Sequence, residues 1–305
     1  MKTAQSKAYL QIHIAVLLFG LTAILGKYVV FDEIGVVWHR MWIGSLGLLI
    51  VPSTLRKLVK IPAKRLLTFV GIGFVVCAHW LAFFGSIKLG NASVALACMA
   101  TSTFFISIVE PLITKSKFQW REMLLGLFAI LGILLILNIG EAYYKSIQVG
   151  LLAAFLAAVF SSLNKRYLES YNSVSVSFLE LTSGFLLLTV YLLAVGGVER
   201  LESYSLFQEN VNSEYAFLGM QLHSVYFLLV LGLLCTSLAY VLALAALRGI
   251  SAFSAGLAVN LEPIYGILMA IVLFQEHREL TPGFYVGTAI ILASVFAEPF
   301  MRKKK

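Results

Sequence analysis

Long apolar runs, broken by short polar joints, recur from one end of this chain to the other. Their spacing predicts helices near residues 11–30, 34–55, 66–87, 93–114, 122–139, 147–164, 174–197, 224–247, 252–274 and 282–301. Each approaches the ~20 residues that a helix needs to cross ~30 Å of hydrocarbon. Lone strands would leave backbone groups unpaired in lipid, so the spans must be helical. The expected fold class is an all-α integral membrane protein with ten transmembrane helices. The least regular stretch, residues 197–223, holds Glu199, Glu202, Glu209 and Glu214. It reads either as a solvated outer loop or as a short interfacial helix.

The joints carry the orientation. Lys2, Lys7, Arg56, Lys57, Lys60, Lys64, Arg65, Lys115, Lys117, Arg121, Lys165, Arg166, Arg248 and the basic tail 302–305 fall on one side. Only Lys27, Lys88, Lys145, Arg200 and Arg278 fall on the other. An excess of Lys and Arg marks the cytoplasmic side. Both termini are therefore expected in the cytoplasm, with an even number of passes through the cell (inner or plasma) membrane. The basic start 1–7, followed by a long apolar run without a small-residue cleavage site, reads as an uncleaved first helix.

Composition closes off the soluble alternatives. Apolar residues make up 60% and charged residues 12% of the 305 positions, and the mean hydropathy is +0.91. A soluble domain carries about 45–50% apolar and about 25% charged residues. The net charge of +8 lies in short clusters between spans. It forms no basic face and no nucleic-acid motif, so the bilayer and not nucleic acid is the expected partner. Cys77, Cys98 and Cys235 sit inside apolar runs without CxxC or metal-ligand spacing, which implies neither a metal nor a cofactor.

The two halves resemble each other. Ser93-Val-Ala-Leu-Ala97 aligns with Ser254-Ala-Gly-Leu-Ala258, and the same register brings Gly71 onto Gly232 and Gly126 onto Gly287. Arg40-Met-Trp-Ile-Gly44 meets Glu180-Leu-Thr-Ser-Gly184, and Gly26-Lys27 meets Asn164-Lys165. Together these suggest a five-helix unit used twice, over residues 8–140 and 147–301. Five is odd, so the second copy enters the membrane inverted. Inverted repeats are a recurring transporter architecture with substrate bound near the midplane.

On these residues, together with Glu110-Pro111, Glu262-Pro263 and Gln275-Glu276, the chain resembles the drug/metabolite transporter superfamily in its ten-helix EamA-type branch. The resemblance covers nearly the whole chain, and the repeat layout is its specific part. Glu110-Pro111 departs from symmetry by standing late in its helix, whereas Glu262-Pro263 stands mid-helix. The resemblance implies a transporter of small metabolites, often an exporter of amino acids or related compounds. It also implies a cavity among helices one, three, four, six, eight and nine, with five and ten peripheral.

Intramembrane charge ranks the candidate residues, because an ionisable group at a helix centre costs ~2.5–3.5 kcal/mol even on the lenient insertion scale. At ~1.5 Å per residue, Glu262 lies roughly 15 Å deep, and Arg40 and Glu180 lie roughly 9 Å from opposite edges. Arg40 should then not meet Glu180, but the reach of its side chain covers the depth gap of roughly 6 Å to Glu262. Glu262 leads. Pro263 removes a backbone donor and frees a carbonyl near Val259, and a carboxylate there could bind a cationic group or carry a proton. The bland alternative is a structural carboxylate satisfied by Arg40 or a hydroxyl. Arg40 and His39 either bind ligand or lock helix two. Glu180 is expected to pair with Lys165 or Arg166 at the inner edge, and Glu110 to lie near Lys115.

His79, beside Trp80, titrates in the range that suits a proton relay, and a buried, satisfied imidazole fits the sequence equally. Cys98, Thr101, Ser102 and Phe105 share a face of helix four; Thr236, Ser237 and Tyr240 form a polar stripe on helix eight. Each stripe either lines a cavity or serves packing. The expected substrate-binding set is Glu262, His79, Arg40, Thr101, Ser102, Trp80, Tyr240, Asn260 and Tyr265, with Glu262 and His79 as candidate proton sites. Gly283 and Gly287 on helix ten form a GxxxG spacing that suits either packing within the chain or a homodimer. No nucleotide, metalloprotease or hydrolase motif is present, so ATP-driven pumping and enzymatic chemistry lose ground to secondary transport. A membrane receptor or scaffold would need neither an inverted repeat nor a midplane acid.

Overall fold

The computed structural model describes residues 2–26, 28–90, 92–136, 144–168, 170–206, 214–217, 220–262, 264–266, 268–269 and 282–301. These residues are overwhelmingly helical. In chain order the helices are α1 Lys2–Gly26, α2 Glu33–Leu49, α3 Ser53–Leu58, α4 Ala63–Leu89, α5 Ala92–Thr114 and α6 Trp120–Ile136. They continue as α7 Tyr144–Tyr167, α8 Ser173–Glu202, α9 Ser224–Leu247, α10 Ala252–Val259 and α11 Pro282–Met301. By length and composition α4, α7, α8 and α9 are each able to cross a membrane. A shorter apolar stretch, Cys98–Thr114, lies in α5.

Local chemistry starts these helices. Asp32 caps α2 by accepting from the Gly35 amide at 2.8 Å. Asn172 caps α8 through the Ser175 amide at 3.2 Å, and Ser251 caps α10 through the Ser254 amide at 3.0 Å. Such caps satisfy N–H groups that have no partner inside the helix. Pro62 stands just ahead of α4, where its missing N–H costs nothing.

The helices pack in layers around a common centre. α4 lies against α7 and α8, α5 against α6 and α7, α2 against α8 and α9, α1 against α9, and α6 against α11. Val37, Met41, Phe69, Val76, Leu181 and Phe253 are fully buried at the centre. Ile50, Leu67, Leu112 and Val195 point outward, at 81%, 73%, 75% and 69% exposure. Apolar surface this extensive is foreign to a water-soluble monomer and suits contact with lipid tails.

Several boundaries differ from expectation. α1 begins nearer the start of the chain, because the polar residues before Gln11 continue its helix. α2 stops at Leu49, and α3 follows as a separate turn tied back by the Thr54 hydroxyl on the Leu48 carbonyl at 2.6 Å. Among the described residues, the stretch expected as a loop or one interfacial helix is neither. α8 runs on to Glu202 through Gly197, whose φ of 62° is the left-handed geometry that glycine alone adopts cheaply. Glu214–Phe217 and Met220–His223 then pair as an antiparallel hairpin, β1 and β2. The ninth predicted helix is interrupted: α10 ends at Val259, and the chain turns through Asn260 and Leu261 before the helical residues that start at Glu262. Pro263 and residues 270–281 lie outside the described residues.

On α11, a side chain at Gly132 of α6 would come within 2.9 Å of the Gly287 carbonyl. The glycine face of α11 therefore supports close packing on α6 within one chain.

Candidate functional site

A central cavity of about 150 Å³ opens between the helices. At ~30 Å³ per water molecule it has room for about five waters or a small metabolite. Among the described residues its wall takes Phe19 and Thr22 from α1, Arg40 from α2, His79, Trp80, Phe83 and Phe84 from α4, and Ser102 from α5. α7 adds Phe160 and Ser161, α9 adds Tyr240 and Leu244, and the far side is closed by Val259 and Glu262. The wall is largely aromatic and aliphatic, with one guanidinium and one carboxylate.

Arg40 is held from behind. Its Nε donates to the Thr236 hydroxyl at 2.9 Å, and an Nη2 hydrogen goes to the Cys235 carbonyl at 3.3 Å. The Cys235 carbonyl is open to Arg40 because Leu233–Leu238 is a π-helical stretch within α9. There the Ala239 amide donates to Leu234 and Thr236 and passes over Cys235, whose carbonyl takes Arg40 instead. Widened turns of this kind concentrate at functional sites. The guanidinium carbon lies 4.8 Å from the Trp80 ring centre and 5.6 Å from that of Phe84, a cation–π arrangement. Glu262 lines the same cavity and attracts Arg40 electrostatically.

His79 is a buried, hydrogen-bonded imidazole that also faces the cavity. Its Nδ1 hydrogen goes to the Ala153 carbonyl at 2.8 Å. That bond assigns the hydrogen to Nδ1 and leaves Nε2 as an acceptor in the neutral ring.

The structure brings Glu262, Arg40, His79, Trp80, Ser102 and Tyr240 to one cavity and leaves three of the expected residues out. The Thr101 hydroxyl folds back onto the Cys98 carbonyl at 2.6 Å. Of the expected stripe of Cys98, Thr101, Ser102 and Phe105, only Ser102 lines the cavity, where Met99 and Ile106 of α5 join it. Asn260 turns toward α5 and donates to the Thr103 hydroxyl at 2.7 Å. Tyr265 meets His13 of α1 at 3.2 Å and stands outside the wall. Of the polar stripe on α9, only Tyr240 reaches the cavity. Thr236 holds Arg40, and Ser237 donates to the Gly44 carbonyl at 2.8 Å.

Two acids differ from expectation. Glu110 is a buried cap: its carboxylate accepts from the Ala252 amide at 3.0 Å and the Phe253 amide at 2.8 Å, at the start of α10. Glu180 is fully buried and bonds to neither Lys165 nor Arg166. Tyr240 donates its hydroxyl to Oε2, and Asn164 donates its side-chain amide to the same oxygen at 3.3 Å. The Lys165 ammonium instead reaches the Leu247 carbonyl at 2.6 Å, and Arg166 reaches the carbonyl of Ile113.

His39 lies away from the cavity. Its Nε2 donates to the Tyr204 carbonyl at 2.9 Å, and its Nδ1 accepts from Trp42 at 2.9 Å. The sequence reading passed over Phe19, Thr22 and Phe160. Nothing in an apolar run distinguishes a cavity face from a packing face, so those residues carried no local signal.

The family described as EamA-like transporters matches the chain twice, over residues 6–138 and 145–297. The protein of Bacillus subtilis (strain 168) described as "Uncharacterized transporter YdfC" is 30% identical over 164 residues, 52% of this chain and 52% of its own. The chain thus spans about half the length of that curated relative. A solved crystal structure shares the fold with a TM-score of 0.71 over 97% of this chain and 99% of its own, at 14% identity.

Proposed function

Because the chain belongs to the EamA-like transporter family and is a multi-pass membrane protein, we propose that it carries small metabolites across a cell membrane as a secondary transporter. The favoured cargo is an amino acid or related compound, and the favoured direction is export. The observation that carries this reading is the cavity in which Arg40 and Glu262 share one aromatic-lined space. A zwitterion presents a carboxylate and an ammonium group, and this wall offers a guanidinium for one and a carboxylate for the other. Trp80, Phe83 and Phe84 would cover an apolar side chain.

Helix packing supports alternating access between two inverted five-helix repeats. α1 lies on α9 as α7 lies on α4, and α2 lies on α9 as α8 lies on α4. The pairs α2–α8 and α6–α11 would lie on the symmetry axis. The reading takes residues 8–140 and 147–301 as the repeats, ten passes in all, and both termini in the cytoplasm. Packing on α6 leaves a homodimer through Gly283 and Gly287 without support.

The test is flux. Purified protein in lipid vesicles preloaded with a panel of radiolabelled amino acids should release at least one of them faster than protein-free vesicles. No release of any, with insertion shown by protease protection, would overturn the reading.

A further inference from the structure

We propose that Glu180, with Asn164 and Tyr240, is a proton-binding site behind the cavity wall, and that its loading couples proton movement to transport. The second half rests on the transport reading; the first does not.

The geometry of the cluster is lopsided. Both donors, the Tyr240 hydroxyl and the Asn164 amide, serve Glu180 Oε2. Among the described residues, Glu180 Oε1 and Asn164 Oδ1 are buried without a hydrogen-bond partner. A carboxylate oxygen left bare in an apolar interior is costly. One proton on Oε1 turns that atom from an acceptor into a donor. The acceptor it would need is carried by the same Asn164 amide that already bonds the carboxyl group from its other side. Metal cations of the hard type require about six oxygen ligands, whereas a proton requires one bond to this oxygen and no added space.

Among the described residues, no positive group bonds the Glu180 carboxylate to hold it ionised. α9 presents Tyr240. On α7 the Lys165 ammonium is on the Leu247 carbonyl. α4 presents Cys77, beside Gly184, and bears His79, which is turned to Ala153. α2 bears His39 and Arg40, which are committed to Tyr204 and to Thr236 with Cys235. α3 meets the start of α8 through Thr54, whose carbonyl accepts from Ser175 at 2.8 Å.

Tyr240 connects this site to the cavity. It lines the cavity wall, its hydroxyl ends on Glu180, and its ring stands edge-on to Trp80 at 6.4 Å between centres. A proton can reach the carboxylate through the phenol. Tyr240 gives its own proton to Glu180 Oε2 and takes one from a hydronium ion in the cavity, which leaves as water; rotation of the carboxyl group then turns its O–H toward Asn164 Oδ1, so the phenol ends unchanged and the cluster gains one proton. The neutral acid no longer attracts the phenol as the carboxylate did, which frees Tyr240 to move against Trp80 and Arg40. That is a direct link between proton occupancy and the shape of the site.

The experiment is an infrared pH titration of purified protein in vesicles of phosphatidylcholine and phosphatidylglycerol, without substrate. Wild type should show a carboxylic-acid C=O band that appears on acidification. Glu180→Gln should lose the band, Tyr240→Phe should shift it, and Glu262→Gln should keep it. Identical difference spectra for wild type and Glu180→Gln, or a band at fixed pH that follows sodium in place of protons, would overturn the site. A second arm imposes a pH gradient on vesicles loaded with the amino-acid panel. Flux should follow the gradient in wild type and persist without responding to it in Glu180→Gln. A gradient response preserved in Glu180→Gln overturns the coupling. A titrating band with no flux for any amino acid sinks the transport reading and the coupling, and leaves the proton site standing.

Discussion

Arg40 Nε donates to the Thr236 hydroxyl at 2.9 Å, across the interface between α2 and the π-helical stretch of α9. The bond fixes a buried guanidinium at the cavity wall and faces it toward Glu262. A hydrogen bond to a charged group is worth about 1.5–3 kcal/mol, and Arg40 makes such bonds to Thr236 and Cys235. Arg40→Met should therefore destabilise the protein by about that amount, read as thermal unfolding in detergent. The double variant Arg40→Met with Glu262→Gln should cost at least ~1 kcal/mol less than the two single changes together. Strict additivity would show that the two charges do not sense each other.

Lysine in place of Arg40 tests geometry apart from charge. An ammonium cannot reproduce the fork that reaches Thr236 and Cys235 together. Arg40→Lys should keep most of the stability lost in Arg40→Met and still lower flux severalfold in vesicles. Flux equal to wild type would show that charge alone is what the cavity uses.

At the N-terminal cap of α2, the Tyr204 hydroxyl donates to both Asp32 oxygens, at 2.8 and 2.9 Å. Arg200 completes the clasp with a contact of 3.3 Å to Asp32. Burial, reinforced by the Asp32 hydrogen bond and charge, pushes the Tyr204 phenol above its ordinary range. A raised phenol contributes stability that is fully present below the unfolded value of ~10 and is lost as pH rises toward the folded one. Wild type should thus lose more stability than Tyr204→Phe when pH is raised above ~10, by about 1 kcal/mol. The Arg200–Asp32 pair is solvent-exposed, so Arg200→Ala should cost less than ~1 kcal/mol. Parallel pH–stability curves for wild type and Tyr204→Phe would contradict this role for the hydroxyl.

Glu110 caps α10 from a different helix, with both carboxylate oxygens on the amides of Ala252 and Phe253. A capping acid at a helix N-terminus is worth about 1–2 kcal/mol. Glu110→Ala should lose that much in chemical unfolding. Glu110→Gln keeps an accepting oxygen and should lose less. Equal losses would mean that the acid works by charge alone.

The sequence was most legible where physics is local or periodic. Apolar runs located the helices, and intramembrane charge drew attention to Arg40, His79 and Glu262, which share one cavity. Of the expected stripe on α5, Ser102 lines the cavity, whereas Thr101 satisfies its hydroxyl on its own helix. A helical wheel gives a face but not the direction of the neighbour. Glu180 was misread because Lys165 and Arg166 are close in sequence and depth, yet helix carbonyls capture both. Its partners are Asn164 and Tyr240, the latter 60 positions away on α9. No local pattern in the sequence announces the hairpin after α8 or the π-helical stretch in α9.

The central claim is that Glu262 and Arg40 share a cavity through which a small metabolite passes. It is tested most directly by flux of the radiolabelled amino-acid panel from vesicles containing wild-type protein or Glu262→Gln, matched for insertion. The account predicts release of at least one amino acid by wild type, reduced about tenfold or more in Glu262→Gln, equivalent to ~1.4 kcal/mol of lost barrier lowering. Equal release by the two proteins would contradict it.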